Sequence, residues 1–177
     1  NAWGTPYSAA MSGAKLVLPG AGMDGKSLHE LIDGEQATLL LGVPTVWLGL
    51  LNHLDSISAK MESVQHVVVG GSAAPLAMIR AFDEKHDAFL IHAWGMTEMS
   101  PLGTVNGPTR ELLALPKEDR YKRQLKQGRP VYGVELKIID DEGKELPRDG
   151  KAYGRLLVRG PWITSGYYKN DDRSAFV

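Results

Sequence analysis

The sequence of 177 residues contains no cysteine. This excludes a disulfide framework, a thiolate metal site and a cysteine nucleophile, and it fits a reducing compartment such as the cytoplasm. The net charge of −1 gives no reason to expect a nucleic acid or an anionic membrane as a partner. The longest uncharged run, residues 36–54, is interrupted by Gly42 and Pro44, so we expect no transmembrane segment.

The first part of the chain combines short apolar runs with helical patterns. This alternation continues to about residue 105 and predicts a layered α/β fold. We expect strands at residues 14–19, 38–43, 66–71 and 88–95, the second and third of them buried.

Local signals predict three helices between these strands. Ser27 and Glu30 have the spacing of a capping box, and Pro44 and Pro75 are each suited to begin a helix. The side chains that these patterns predict to face the core are Leu28, Leu31 and Ile32, then Trp47, Leu50, Leu51 and Leu54, then Leu76, Ile79 and Phe82.

The pattern of apolar and polar residues changes at about Gly128. From there, alternating apolar and polar residues predict antiparallel β-structure at the rim of a small barrel or sheet. We therefore expect residues 1–127 to be part of an α/β domain, with a polar linker or surface helix at about 106–127. Residues 128–177 are expected to be part of an antiparallel β subdomain.

A glycine motif suggests one class of function. Gly20, Gly22 and Gly25 form a G-x-G-x-x-G pattern between a predicted strand and a helix, as in dinucleotide-binding oxidoreductases. The next predicted strand ends in Gly42-Val43-Pro44, without the acidic residue that binds the ribose in such proteins. A strand-to-helix loop is the better interpretation of this segment.

Two later segments carry the chemistry of a ligand site. Small residues 70–74 follow a predicted strand and allow a ligand to approach the backbone closely. After the next strand, Trp94 offers a face on which a purine can stack, Thr97 a hydroxyl for a phosphate and Glu98 a carboxylate for Mg²⁺. A purely structural alternative stays open, in which Trp94 and Met96 are core residues while Thr97 and Glu98 cap a helix.

Four segments in this order resemble the adenylate-forming superfamily of AMP-binding enzymes, which includes the acyl-CoA synthetases. They are GGSAAP, HAWGMTE, GRPVYGVELKIID and YGRLLVRGPWITSGYY, and the resemblance as a whole extends over nearly the whole chain. The opening NAWGTPYSAAMSGAKLVLPG is most similar to fatty-acyl-CoA synthetases. The resemblance implies part of the layered α/β large domain, followed by part of a distorted-barrel subdomain.

The resemblance also implies an activity, in which a carboxylic acid and ATP give an acyl-adenylate and pyrophosphate, and coenzyme A then forms the thioester. It implies a fatty acid as the substrate, ATP, Mg²⁺ and coenzyme A as cofactor or co-substrates, and no nucleic acid. The oligomeric state is left open, a homo-oligomer included. The implied catalytic residues are Thr97 and Glu98, and Glu98 is also the implied metal ligand. The implied nucleotide-binding residues are Gly71, Ser72, Ala73, His92, Ala93, Trp94 and Gly95. The implied acyl-pocket residues are Trp3, Val43, Trp47 and Gly71.

The family's phosphate loop would precede Asn1, and its ribose-binding aspartate and catalytic lysine would follow Val177. We therefore expect the chain to be a piece of a longer ligase and to be inactive alone. Two alternatives remain: a dinucleotide-binding oxidoreductase that uses Gly20, Gly22 and Gly25, and a non-catalytic domain with the same fold.

Overall fold

A computed structural model describes residues 2–171, and within them the strands form two sheets. The strands are β1 (Leu39–Gly42), β2 (His66–Val69), β3 (Phe89–Gly95), β4 (Leu102–Asn106), β5 (Arg129–Pro130), β6 (Glu135–Ile139) and β7 (Arg155–Arg159). The α-helices are α1 (Thr5–Ser12), α2 (Gly25–Glu35), α3 (Pro44–Ile57), α4 (Leu76–His86), α5 (Arg110–Leu113) and α6 (Lys117–Gln124), and Ala2–Gly4 and Thr97–Met99 are 3₁₀-helical.

The larger sheet has the order β1-β2-β3-β4-β5 and mixes strand directions. β1, β2 and β3 are parallel, whereas β4 runs antiparallel to β3 and β5 antiparallel to β4. β6 and β7 form a separate antiparallel ribbon. The α/β fold class is thus confirmed, and the described residues of the β-rich part do not close into a barrel.

The core lies between the parallel strands and the helices that connect them. The stripe predicted on α3 is confirmed, because Trp47, Leu50, Leu51 and Leu54 are all buried. On α4, Ile79 and Phe82 are buried as predicted, but Leu76 is 37% exposed. Leu76 is the first residue of α4, which begins at the carboxyl edge of the sheet, so it lies beyond the packed layer.

The predicted strand at residues 14–19 is wrong, because this segment is irregular and pairs with no described strand. The prediction that β1 is a buried strand is also wrong. It is an edge strand, in which Leu40 is buried while Leu39 and Leu41 are 48% and 37% exposed. Apolar composition predicted burial, but only one edge of β1 has a described neighbour.

The capping box at Ser27 is not the start of α2. The N-cap is Asp24, whose carboxylate accepts hydrogen bonds from the backbone N–H and the hydroxyl of Ser27 at 3.0 and 2.6 Å. Gly25, at the first helical position, lies against α3, where an added Cβ would be 2.5 Å from the carbonyl oxygen of Gly49. This glycine therefore allows two helices to approach each other.

The polar segment before β5 contains a helix that packs on the α/β layer. In α6, Tyr121 is 1% exposed and donates its hydroxyl hydrogen bond to Asp83 of α4 at 2.6 Å. Arg120 forms an ion pair with the same carboxylate at 2.7 Å. The domain division at residue 128 stays a prediction, although Arg129 and Pro130 pair with β4 of the larger sheet. None of the described helices has the length and hydrophobicity needed to cross a bilayer.

A buried histidine at the end of α4 makes the stability of this fold depend on pH. His86 is 2% exposed, its Nδ1 accepts a hydrogen bond from Met61 N–H at 3.4 Å, and its Nε2 has no partner among the described residues. Burial lowers the pKa of His86 below its ordinary value of 6.5. As the pH falls below 6.5, His86 therefore binds fewer protons in the folded state than in the unfolded state.

We expect the free energy of unfolding to fall as the pH is lowered from 6.5 through the depressed pKa of His86, because protons favour the unfolded chain. In His86→Asn, which cannot titrate and keeps an acceptor near the Nδ1 position, this acid slope should be smaller. Urea unfolding measured from pH 7 to 5 checks the difference. Equal slopes in both proteins would contradict the assignment.

Candidate functional site

Two loops meet at the carboxyl edge of the parallel strands. One joins β2 to α4 and contains the small residues 70–74, and the other follows Gly95, the last residue of β3, and contains the 3₁₀ helix. Because β2 and β3 are parallel neighbours, the ends of both strands lie at the same edge. Gly71 has a φ of +76°, a conformation that side chains rarely adopt.

A pocket of about 320 Å³ lies between these loops. It is lined by Gly71, Ser72, Ala73, Ala93, Trp94, Gly95 and Gln127. The structure therefore brings together six of the seven residues that the resemblance assigned to the nucleotide, and it adds Gln127.

Trp94 is a half-buried wall of this pocket. Its ring packs on β4, where a Cβ added to Gly103 would be 2.9 Å from Trp94 Cζ3. The alternative in which Trp94 and Met96 are core residues is wrong, since Met96 is 46% exposed. Met96 is the N-cap of the 3₁₀ helix and no side chain caps it, so Thr97 and Glu98 are not capping residues either.

His92, also assigned to the nucleotide, does not line the pocket. It is 1% exposed, and its Nε2 accepts a hydrogen bond from Ala74 N–H at 2.8 Å. The ring proton must therefore be on Nδ1, which donates to the carbonyl oxygen of Gln124 at 3.1 Å. His92 thus connects β3 to the loop after β2 and to the end of α6, and it positions the pocket walls from behind.

Gln127 was missed by sequence reasoning, because it lies in a polar segment with no periodic pattern. Its carbonyl oxygen accepts a hydrogen bond from the buried Thr104 hydroxyl at 2.6 Å, and Thr104 is the register partner of Trp94. The next residue, Gly128, has a φ of +90°, and an added Cβ would be 2.1 Å from Val105 O. Only the pairing of β4 with β3 and β5, which local patterns do not show, brings Gln127 to Trp94.

Glu98 lies beyond the pocket, in the 3₁₀ helix that begins at Thr97. Its Oε1 accepts a hydrogen bond from the Tyr167 hydroxyl at 2.5 Å, and its carbonyl oxygen accepts one from Thr164 N–H at 2.8 Å. The Tyr167 hydrogen bond lowers the pKa of the Glu98 carboxyl below its ordinary value. Glu98 is therefore an ionised carboxylate at neutral pH.

The residues expected to line an acyl pocket are partly brought together. A Cβ added to Gly71 would be 3.3 Å from Val43 Cγ1, and one added to Gly70 would be 3.3 Å from Trp3 Cη2. Trp3 and Val43, both 37% exposed, thus lie beside the β2–α4 loop, whereas Trp47 is only 4% exposed. Their role as acyl-pocket walls stays a prediction.

The glycine motif of the dinucleotide alternative has no matching structure. No strand leads into Gly20, Gly22 and Gly25, because residues 14–19 are irregular. Gly25 is explained by its contact with α3. The described residues therefore lack the strand–loop–helix arrangement that a dinucleotide site needs.

A larger cavity of about 510 Å³ lies beside residues 126–128, the segment that contains Gln127. Lys126 and Gly128 line this cavity, whereas Gln127 between them lines the smaller pocket. The larger cavity contains none of the residues assigned to the nucleotide, the metal or the acyl group.

Comparison with known proteins gives consistent matches. A family model described as AMP-binding enzyme matches residues 1–168. The chain is 50% identical over 173 residues to the 3-methylmercaptopropionyl-CoA ligase of Ruegeria lacuscaerulensis, covering 98% of the chain and 32% of that protein. It is 52% identical over 174 residues to the medium-chain-fatty-acid–CoA ligase of Ectopseudomonas oleovorans, again covering 98% of the chain and 32% of that protein.

Among solved structures, the anthranilate CoA ligase AuaEII in complex with anthranoyl-AMP matches with a TM-score of 0.72 and 25% identity. That match covers 91% of this chain and 29% of that protein. The chain spans about a third of the length of the curated relatives described above.

The role of His92 can be tested by stability. In His92→Ala, the buried N–H of Ala74 and carbonyl of Gln124 lose their partners, and we expect a loss of about 2–4 kcal/mol in the free energy of unfolding. In His92→Gln, the amide oxygen can replace Nε2 as acceptor, so the loss should be clearly smaller. Urea unfolding of the three proteins measures both effects. Equal losses in the two variants would contradict a positioning role.

Proposed function

The chain belongs to the AMP-binding enzyme family, and from this we propose that the full-length protein is an AMP-forming acid–thiol ligase. It joins a carboxylic acid to ATP, releases pyrophosphate, and transfers the acyl group from AMP to the sulfur of coenzyme A. The observation that supports this best is the pocket in which the Gly71–Ala73 loop meets the ring of Trp94.

Each proposed site residue contacts or supports a different part of the nucleotide. The adenine stacks on Trp94, while the Gly71–Ala73 loop lets its plane approach the backbone. Gln127 lines the same pocket, and its side-chain amide carries an NH₂ donor group and a carbonyl acceptor, a combination that matches the edge of adenine. Thr97 supplies a hydroxyl to a phosphate oxygen. His92 contributes indirectly, by holding Ala74 in place.

The residues present fit the Mg²⁺ that the family implies. Mg²⁺ in nucleotide sites is held by one or two carboxylates, and phosphate oxygens and water complete its shell. Glu98 is one ionised carboxylate, and no group of three His, Cys, Asp or Glu side chains suited to a metal occurs in residues 2–171. When bound, the ion would neutralise phosphate charge, and Glu98 is the residue that would hold it.

The proposed acid is a fatty acid, because one relative at 52% identity is a medium-chain-fatty-acid–CoA ligase. The similar identity to a 3-methylmercaptopropionyl-CoA ligase means that overall identity does not define chain length. Trp3, Val43, Trp47 and Gly71 remain the proposed acyl-pocket residues, and the cytoplasm remains the predicted location. Kinetics of the full-length protein with carboxylic acids of increasing length would define the substrate.

We expect Trp94→Ala to raise the KM for ATP of the full-length protein roughly tenfold to a hundredfold, the range that stacking on an aromatic supplies per base. Trp94→Phe should stay close to wild type, because it keeps the π-face. Melting curves of both variants separate a binding effect from unfolding. A normal KM in a folded Trp94→Ala would contradict stacking.

We expect Glu98→Ala to lower acid-dependent pyrophosphate exchange by about 10²-fold or more, because a charge that positions the phosphates is lost. The matched control is Glu62→Ala. This exposed carboxylate precedes β2, at the opposite edge of the sheet, and its loss should leave exchange unchanged. Exchange near the wild-type rate in Glu98→Ala would refute the proposed role, and absence of exchange in wild type would refute the proposed function.

A further inference from the structure

The cavity of about 510 Å³ has an apolar floor and a basic rim. We call its buried and half-buried apolar lining residues, Val105, Leu112 and Leu115, the floor, and its exposed cationic lining residues, Arg123, Lys126 and Arg129, the rim. The volume lies in the range of small-molecule sites, which combine apolar walls with a few polar groups. The lining therefore suits an organic molecule that carries negative charge.

The three rim cations, Arg123 in α6 and Lys126 and Arg129 after it, differ from the other cations of that helix. Lys117 and Arg120 form ion pairs with Asp83, and Lys122 forms one with Asp119. Arg123, Lys126 and Arg129 form no ion pair with any carboxylate in the part of the chain that the structure describes. Three cations without ion pairs at one cavity produce a local positive potential that attracts a multiply charged anion.

One carboxylate, Glu111, lines the same cavity. Its pKa is lowered mainly by its own backbone N–H and by the Thr109 hydroxyl, and Arg129 contributes least. The carboxylate is ionised, and because three cations line the cavity beside this one carboxylate, an excess of positive charge remains.

The segment that carries the cations is held in place. The Asn106 amide donates to the carbonyl oxygens of Arg123 and Lys126, each at 2.7 Å. Gly128 lies in close contact with Val105 through a backbone conformation that favours glycine. A fixed backbone lowers the entropic cost of gathering three charged side chains on a ligand.

We propose that this cavity is a second ligand site, distinct from the Trp94 pocket, for an organic phosphate with at least two negative charges. Arginine forks bind phosphate oxygens in pairs, and lysine adds a point charge. The apolar floor takes the organic part. Because Gln127 lies between Lys126 and Gly128, an occupant contacts the segment that also forms a wall of the nucleotide pocket.

Calorimetric titration of the full-length protein with adenosine 3′,5′-bisphosphate tests this site. The titration is made in a Trp94→Ala background, which weakens stacking in the smaller pocket. We expect one equivalent to bind, and the Kd to rise roughly 10- to 100-fold in the variant R123Q/K126Q/R129Q. The control Lys122→Gln, a paired cation of the same helix outside the cavity, should keep the Kd within about twofold.

Equal binding in the triple variant, or equal loss in Lys122→Gln, would overturn the proposal. If the triple variant does not fold, as judged by its melting curve, Lys126→Gln replaces it, and an unchanged Kd there has the same meaning. Inorganic pyrophosphate distinguishes the source of the phosphate. Weaker binding of pyrophosphate than of the bisphosphate supports an organic ligand. Equal binding of the two would overturn the claim that the ligand is organic. Because no ATP turnover is measured, failure here leaves the proposed ligase function untouched.

Discussion

The geometry of the Trp94 pocket depends on one buried imidazole. His92 accepts from Ala74 N–H and donates to Gln124 O, so a single ring fixes the distance between the β2–α4 loop, β3 and the end of α6. Gln124 reinforces the connection, because its side-chain amide donates to Leu90 O of β3 at 2.9 Å. These bonds are made away from water, where losing one partner leaves the other unsatisfied. The pocket walls are therefore positioned before any ligand arrives.

The second constraint is close backbone packing at the end of β3. An added Cβ on Gly95 would be 1.8 Å from Pro101 O, and one on Gly103 would be 2.2 Å from Met99 Cε and 2.9 Å from Trp94 Cζ3. Glycine at both positions lets the chain turn tightly and return as β4 beneath the tryptophan ring. The ring is thereby supported on one side, and a supported ring loses less conformational freedom when a base stacks on it.

The sequence predicted those parts of the fold that depend on local patterns. Apolar runs located the three parallel strands, and Pro44 and the α3 stripe were correct to the residue. Predictions failed where the structure depends on whether a segment has neighbouring strands in the sheet. Residues 14–19 have the composition of a strand but no described partner, and β1 has the composition of a buried strand but one described neighbour.

The same distinction applies to the site. Gly71, Ser72 and Ala73 follow β2, and Ala93, Trp94 and Gly95 end β3, so the sequence could predict that they share one edge of the sheet. Gln127 reaches the pocket through a short strand pairing between β4 and β5, and Tyr167 reaches Glu98 across 69 residues of sequence. Neither contact has a local signature, because each joins residues that are far apart in the sequence. The two hydrogen-bond partners of His92 had no local signature either, although a buried histidine satisfied within the core was one interpretation of this position.

The contact between Tyr167 and Glu98 also limits what Glu98 can do. An ion pair with lysine or arginine would hold this carboxylate in place and at the same time cancel its charge. A phenol donates one hydrogen bond to Oε1, lowers the pKa of the carboxyl and adds no positive charge. Glu98 is therefore oriented and ionised, and its negative charge remains available. The proposed attraction of a cation agrees with a neutral hydrogen-bond donor, because that role requires the full negative charge of the carboxylate.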